Sequence, residues 1–169
     1  MESTSDTSAQ LNPNSRTPLP FPIRFIATGF FAGYSPIIPG TAGSLVGLAL
    51  YLIPGMENSL ILGIVSIVGF ILGGIVSAKM EQHFGEDPQI VVIDEIIGIF
   101  ISLLFLPKSI ITILFAFIFF RLYDTVKPPP ARQFEHIQHG WGIMLDDVVA
   151  GIYTNITLWL LLMIFPGLL

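Results

Sequence analysis

The segment from residue 121 to residue 151 opens with Arg121-Leu122-Tyr123-Asp124-Thr125-Val126-Lys127-Pro128-Pro129-Pro130 and closes with Gly140-Trp141-Gly142-Ile143-Met144-Leu145-Asp146-Asp147-Val148-Val149-Ala150-Gly151. One apolar run ends just before this segment, and another begins at the Asp146-Asp147 pair. The triple proline stops the first of the two helices that these runs predict. Only 11% of the 169 residues are charged, so three carboxylates, an arginine and a lysine in these two pieces require a reason. We interpret them as part of a metal and phosphate site at a membrane surface.

The composition of the whole chain indicates a membrane protein. Hydrophobic residues make up 53% of it and charged residues 11%, whereas a soluble domain has about 25% charged residues. The net charge of -5 argues against a nucleic-acid partner, because nucleic-acid-binding domains present basic patches. Cysteine is absent, which excludes disulfides, cysteine-ligated zinc and a phosphatase with a cysteine nucleophile.

The apolar runs predict an all-α, multi-helical integral membrane protein with about four to five apolar helices. We expect a disordered polar tail over residues 1–22 and a single helical membrane domain over residues 23–169. The spacing of Gly69 and Gly73 predicts that another helix approaches closely there. The predicted helices cover residues 45–52, 59–78, 90–106, 110–123 and 148–165.

The first apolar stretch, residues 25–53, is predicted to be broken or re-entrant. Pro36 and Pro39 rule out a continuous helix, and non-helical backbone at membrane depth needs a cover of protein or a wet cavity. A kinked span is the simpler alternative. Thr41 or Ser44 is expected to cap the short helix that follows. A re-entrant loop near a helix N-terminus could bind an anion, so Ser35, Thr41 and Ser44 are candidate substrate-binding residues.

Carboxylates occur inside the apolar runs as well as beside them. Asp94 and Glu95 interrupt the run over residues 90–106, and a central acid costs about 2.5–3.5 kcal/mol on insertion scales, so such residues usually serve a function. Placement at the membrane interface is the alternative. Arg121 and Asp124 are three residues apart and share a helix face. Acids in a first helical turn suit the helix dipole, which could explain one residue of the Asp146-Asp147 pair.

The distribution of charge predicts the orientation in the membrane. With a cytoplasmic N-terminus, every lysine and arginine except Lys108 lies on the cytoplasmic side, as the positive-inside rule requires. The same arrangement places five acids on that side: Asp87, Asp94, Asp124, Asp146 and Asp147. The sequence therefore predicts a single site that faces the cytoplasm.

This set of residues favours oxygen-ligated magnesium, because carboxylates, water and phosphate oxygens are its usual ligands. Arg121 and Lys127 can neutralise phosphate charge. We expect metal-assisted hydrolysis of a phosphate ester, with either water or a carboxylate as the nucleophile. His136 and His139 also have a possible ligand spacing, although a solvated loop is the simpler interpretation. The candidate metal ligands are Asp94, Glu95, Asp124, Asp146 and Asp147, and the candidate catalytic residues are Asp94, Asp124, Arg121 and Lys127.

Four motifs occur in order between about Gly29 and Gly151. They are Ser35-Pro36 with Pro39-Gly40-Thr41-Ala42-Gly43-Ser44, Asp87-Pro88 with Ile93-Asp94-Glu95 and Gly98, Arg121-Leu122-Tyr123-Asp124 with Lys127-Pro128, and Gly142-Ile143-Met144 with Asp146-Asp147 and Ala150-Gly151. Together they make the chain resemble the phosphatidylglycerophosphatase A family. The resemblance implies a small helical membrane protein that needs Mg²⁺ and converts phosphatidylglycerophosphate to phosphatidylglycerol in a bacterial-type cytoplasmic membrane. Tyr123 stands where the family commonly has phenylalanine, and Trp141 interrupts a glycine run.

Two other classes of function are compatible with parts of the sequence. Acids within the membrane and broken helices are also typical of an ion-coupled transporter or channel. The small size, the absence of an internal repeat and the placement of the acids on one side argue against transport. A structural membrane subunit would tolerate amide substitutions at Asp94 and Asp147. The oligomeric state is left open by the sequence.

Overall fold

The computed structural model describes residues 18–134, 137 and 139–166, and the regular elements within these residues are all helical. The predicted all-α class is therefore confirmed. Most of the predicted tail lies outside the described residues, and its last two positions already belong to the first helix. The helices are α1 (Phe21–Ala27), α2 (Pro39–Tyr51), α3 (Ser59–Phe84), α4 (Ile93–Leu103), α5 (Ile110–Val126), α6 (Ala131–Phe134) and α7 (Trp141–Ile164), with a 3₁₀ turn (Ala32–Tyr34) between α1 and α2.

Helix α4 lies at the centre of the fold and packs against α2, α3, α5 and α7. Its apolar residues are almost completely buried, and Ile99 has no exposed surface at all. Asp94 and Glu95 occupy its first turn, where negative charge suits the N-terminal end of the helix dipole. The core packing around α4 therefore fixes the position of both carboxylates.

Local capping explains where the long helices begin and end. The Asn58 side chain accepts hydrogen bonds from the backbone N–H groups of Leu60 and Ile61 at 3.0 and 3.2 Å, as an N-cap residue does. The Ser109 hydroxyl accepts one from Thr112 N at 2.9 Å at the start of α5. Helix α5 ends at Val126, and its C-cap residue Lys127 adopts a left-handed conformation with φ of 47°.

The first apolar stretch is broken, as predicted, but its second helix begins earlier than expected. Helix α2 starts at Pro39 and not at residue 45, because proline is well suited to the first position of a helix, where its missing N–H is not needed. Thr41 and Ser44 consequently lie inside the helix, and neither caps it. The N-cap residue is Ile38, which makes no side-chain cap hydrogen bond.

Successive core helices run in alternating directions. The helix termini therefore lie at two opposite ends of the molecule. At the end that we call the far end, Lys108 between α4 and α5 donates to Glu57 Oε2 at 3.1 Å and to Leu52 O at 3.3 Å, between α2 and α3. The opposite end, called the site end, holds the starts of α2, α4 and α7 and the ends of α3 and α5.

Within the part of the chain that the structure describes, two helices have the length and composition of a membrane span, α3 and α7. The other helices of the core are shorter, since α2, α4 and α5 have 13, 11 and 17 residues. Large apolar side chains are exposed along α3, among them Leu60 and Ile67. Gly69 and Gly73 face Ile97 and Met144, where a Cβ atom would overlap the neighbouring side chain. The predicted close approach of helices at these glycines is therefore confirmed.

Candidate active site

A pocket of about 360 Å³ opens at the site end, where the starts of α2, α4 and α7 meet the end of α5. It brings together residues from four segments that are far apart in the sequence. Every residue proposed above as a catalytic residue or metal ligand contributes to its lining. The charged residues of the lining are Asp87, Asp94, Glu95, Arg121, Asp124, Lys127, Asp146 and Asp147.

Three of the five predicted metal ligands form a tight cluster. One carboxylate oxygen from each of Asp94, Glu95 and Asp147 lies within 4.8 Å of the others, and we call these residues the carboxylate trio. Asp94 and Asp147 are 7% and 3% exposed. Within the described residues, Asp94 Oδ1, Glu95 Oε2 and Asp147 Oδ2 are buried without a hydrogen-bond partner. Buried carboxylates without a partner are costly, so the donor set fits a bound divalent cation with oxygen ligands.

The other two predicted ligands, Asp124 and Asp146, form ion pairs with the two cations of the pocket. Arg121 Nη1 lies 2.7 Å from Asp124 Oδ2, as the shared helix face predicted. Lys127 Nζ lies 2.8 Å from Asp146 Oδ2 and joins the end of α5 to α7. The pocket thus holds a negative cluster of three carboxylates beside two cations that are partly balanced by acids.

The Asp146-Asp147 pair lies further inside α7 than predicted. The helix begins at Trp141 rather than near residue 146, so both acids belong to its second turn. Adjacent helical residues point in directions about 100° apart, which separates their roles. Asp146 faces Lys127 and also accepts a hydrogen bond from Asp147 N at 3.0 Å, while Asp147 faces α4.

The predicted substrate-binding hydroxyls are not part of the pocket lining. Ser44 is fully buried and donates to Gly40 O at 3.0 Å within α2. Ser35 follows the 3₁₀ turn, and Thr41 lies in the first turn of α2. Their assignment to substrate binding stays a prediction. The pair of His136 and His139 cannot be assessed, because His136 lies outside the described residues.

The backbone of Gly40 lies against the site, whereas a hydroxyl side chain of this segment was expected there. A Cβ atom at Gly40 would overlap Glu95 Oε1 and would lie 3.2 Å from Arg121 Nη1. The start of α2 can therefore lie directly against these two charged groups only because residue 40 has no side chain. Sequence reasoning considered the hydroxyls of this segment, although the glycine between Pro39 and Thr41 was visible in the same motif.

A second residue that sequence reasoning missed is Glu81, near the end of α3. Its Oε2 atom accepts a hydrogen bond from the backbone N–H of Gly140, the N-cap of α7, at 2.9 Å. Gly140 has a φ of 75°, and a Cβ atom on it would overlap the backbone of Ala78. Glu81 thereby fixes the start of the helix that carries Asp146 and Asp147. The sequence offered no signal for a contact over this separation.

Comparison with known proteins gives consistent matches. The family model described as phosphatidylglycerophosphatase A matches residues 25–162. Proteins named Phosphatidylglycerophosphatase A from Haemophilus influenzae and Escherichia coli are 38% and 36% identical, over 88% and 82% of this chain and 93% and 82% of their own. A Bacteroides thetaiotaomicron protein, named provisionally as a phosphatidylinositol-3-phosphatase, is 41% identical over 78% of this chain and 87% of its own. No solved structure matches significantly.

Proposed function

The chain belongs to the phosphatidylglycerophosphatase A family, a family of phosphatases, and on this basis we propose that it hydrolyses phosphatidylglycerophosphate to phosphatidylglycerol and inorganic phosphate with the help of Mg²⁺. The observation that supports the chemistry best is the carboxylate trio with its three buried, unpartnered oxygens in the described part of the chain. Two cations lie beside it in the same pocket.

The proposed metal ligands are the trio of Asp94, Glu95 and Asp147. A divalent cation at such a site lowers the pKa of bound water and neutralises phosphoryl charge. Mg²⁺ commonly uses only one or two protein carboxylates together with water and phosphate oxygens. Asp124 and Asp146, which were also predicted as ligands, have the alternative role of holding the two cations. They line the same pocket as the trio, and we keep them as candidate ligands.

Arg121 and Lys127 are proposed to bind the terminal phosphate. Both line the pocket and are partly exposed, with 24% and 26% of their side chains accessible. Arginine can donate two parallel hydrogen bonds to a phosphate, and lysine supplies a compact positive charge. Before a ligand binds, Asp124 holds Arg121 in place by its contact of 2.7 Å. These positive charges offset the repulsion between the carboxylates and the substrate.

The reaction exchanges one phosphorus–oxygen bond for another. The oxygen of a water molecule attacks phosphorus, and the bond from phosphorus to the glycerol oxygen of the headgroup breaks. Water loses a proton, and the departing glycerol oxygen gains one, so that the products are an alcohol and inorganic phosphate. Preorganised charge is usually the largest contribution to such a reaction, and this pocket supplies it from three of its four segments.

The topology that we propose places the site end at the cytoplasmic surface and the far end at the opposite surface. Helices α3 and α7 span the bilayer, and the shorter α2, α4 and α5 pack against them inside it. The exposed apolar side chains of α3 support a lipid-facing surface. Lys108 is the lysine that the distribution of charge places on the side opposite the cytoplasm. At the far end, it pairs with Glu57 at 3.1 Å. The positive-inside rule favours this orientation.

Phosphate release by the full-length protein in detergent micelles tests the proposal. Phosphatidylglycerophosphate is supplied with Mg²⁺ or with EDTA, to the wild type and to the Asp94→Asn variant. We expect release that needs Mg²⁺ and falls at least about 100-fold in the variant, since even outer-shell changes at metal sites cost 10- to 100-fold. Glu57→Gln makes the same chemical change at the far end and should keep wild-type activity. Release in EDTA at the full rate would overturn the magnesium mechanism.

The substrate itself is tested by competition between two lipids. The Bacteroides thetaiotaomicron relative, 41% identical, makes phosphatidylinositol 3-phosphate the appropriate second substrate. We expect a higher kcat/KM for phosphatidylglycerophosphate. The opposite ranking would keep the phosphatase chemistry but replace the proposed substrate. Ion flux in liposomes without any phosphate release would instead support the transporter alternative.

A further inference from the structure

Five aromatic side chains from α1 and from the segment that follows it form a cluster of rings in contact, which we call the aromatic platform. It consists of Phe21, Phe25, Phe30, Phe31 and Tyr34. The centroids of the rings that contact one another lie 4.9–6.1 Å apart, which is within the range of favourable aromatic contacts. All but Phe25 are 41–58% exposed. The platform is therefore an ordered cluster of rings that is open on one side.

The backbone holds two of these rings outward at some cost. Phe30 and Phe31 have φ values of 58° and 70°, a conformation that is unusual for bulky residues and that persists only where the surroundings impose it. Here Thr28, which is fully buried, imposes it. Its hydroxyl accepts a hydrogen bond from Phe31 N at 3.2 Å, and its carbonyl accepts one from Gly33 N at 2.9 Å.

The chain leads from the platform directly into the wall of the active-site pocket. Ile37 and Ile38 follow Tyr34 closely in the chain, line the pocket and are 84% and 52% exposed. Helix α1 is anchored at the site end, where Ala27 belongs to the same buried apolar cluster as Met80 and Ile143. Exposed apolar side chains thus occur both at the aromatic rings and, three residues further along the chain, at the wall of the charged pocket.

The size and polarity of the pocket indicate what this surface binds. A volume of about 360 Å³ is near the lower end for small-molecule sites and suits a phosphorylated headgroup without its acyl chains. The acyl chains of a lipid bound there must remain outside, next to the pocket mouth. Aromatic residues favour the boundary between lipid headgroups and acyl chains. The platform has the composition that this boundary requires.

We propose that the aromatic platform, together with Ile37 and Ile38, is the site that binds the diacylglycerol part of the substrate at the membrane surface. The phosphate then reaches Arg121 and Lys127, while the acyl chains lie against the rings. This inference rests on the proposed function, because it concerns the lipid part of the same substrate.

The test compares two substrates that share a headgroup. One is phosphatidylglycerophosphate in mixed micelles, and the other is its deacylated, water-soluble form. The variants are Ile37→Ala and Phe31→Ala. The measured quantity is the ratio of two kcat/KM values, that for the acylated substrate divided by that for the deacylated one. Phe105→Ala is the matched control, since Phe105 is also aromatic, 67% exposed and at a positive φ of 62°, but lies at the far end.

We expect the ratio to fall about tenfold in both platform variants, mainly through KM for the acylated substrate, because contact with one large apolar side chain is worth about one power of ten in affinity. The ratio should not change in the Phe105→Ala variant. An unchanged ratio in the platform variants would overturn the inference, whether both activities are kept or both fall by the same factor. If the wild type hydrolyses neither substrate, the proposed function itself fails.

Discussion

The carboxylate trio has opposite consequences for stability with and without a cation. In EDTA, Asp94→Asn removes one of three neighbouring buried negative charges without a change in volume, so we expect a higher Tm than for the wild type. Each 1 kcal/mol shifts the Tm by about 2–4 °C in a chain of this size. With Mg²⁺ the order should reverse, because binding to the folded state stabilises the wild type alone.

Thermal unfolding in detergent measures both conditions, and Glu57→Gln is again the control. It removes an exposed carboxylate at the far end and should shift the Tm little, and equally, with and without Mg²⁺. A lower Tm for Asp94→Asn in EDTA would contradict the interpretation of the trio as a cluster that a cation stabilises.

Substitution of Gly40 tests whether activity depends on the close fit of the site, and the Tm shows whether the stability of the protein also changes. A methyl group at residue 40 would overlap Glu95 Oε1, so Gly40→Ala should reduce kcat/KM at least about tenfold through displacement of Glu95 and Arg121. The measurement is phosphate release at saturating Mg²⁺, beside the Tm.

Gly63→Ala provides the matched control for this substitution. In the described part of the chain, the nearest atom to a Cβ at Gly63 is Leu104 Cδ2 at 3.9 Å, so there is room for the methyl group. Alanine should stabilise α3 by about 0.5–1 kcal/mol and leave activity intact. Equal activity in both variants would show that the close approach at Gly40 is not needed.

At the residue scale, the sequence identified the charged groups of the pocket but not their partners. Arg121 and Asp124 could be paired in advance because helical spacing places residues three apart on one face. The contact of Lys127 with Asp146 spans 19 positions, and no local rule relates them. The same holds for the meeting of Asp147 with Asp94, which depends on how α7 packs against α4.

At the scale of elements, Glu81 connects the end of α3 to the start of α7. Glu81→Ala removes the acceptor for Gly140 N–H and should lower stability by about 1–2 kcal/mol, within the range for hydrogen bonds to charged groups or slightly below it. It should also weaken Mg²⁺ binding about tenfold or more, as loss of outer-shell support does at metal sites. Glu81→Gln retains an oxygen acceptor and should therefore retain most of the stability and most of the Mg²⁺ affinity of the wild type.

Calorimetric Mg²⁺ titration and thermal unfolding provide the measurements for Glu81. Glu86→Ala is the control, because Glu86 is an exposed acid in the loop that follows the same helix. If Glu81→Ala and Glu86→Ala lowered the Mg²⁺ affinity equally, general loss of negative charge would explain the effect, and the role of Glu81 in positioning α7 would be wrong.

The limits of the helices show what composition can predict and what it cannot. Ser59 and Ile110 were correct starts of α3 and α5, because each follows a capping residue or a turn that precedes an apolar run. The starts of α2 and α7 were wrong by six and seven residues. Proline and glycine at Pro39, Gly40 and Gly140 suggested interruptions, whereas proline at a first helical position and glycine at an N-cap begin helices.

At the scale of the whole molecule, the proposed topology predicts opposite accessibility for the two ends. The chain has no cysteine, so single-cysteine variants report their position without background. A membrane-impermeant thiol reagent should modify the Glu86→Cys variant only in inverted vesicles and the Glu57→Cys variant only in right-side-out vesicles. Modification of both from the same side would overturn the placement of α3 across the bilayer.

The two ion pairs of the pocket have a thermodynamic consequence for ligand binding. A phosphate that binds Arg121 and Lys127 competes with Asp124 and Asp146, which those cations contact at 2.7 and 2.8 Å. The displaced acids then add uncompensated negative charge beside the trio, which attracts a divalent cation more strongly. Lipid and metal should therefore bind with positive cooperativity, and linkage requires that each raises the affinity of the other by the same factor. A resting enzyme would hold its cation loosely and tighten on it only when a substrate arrives.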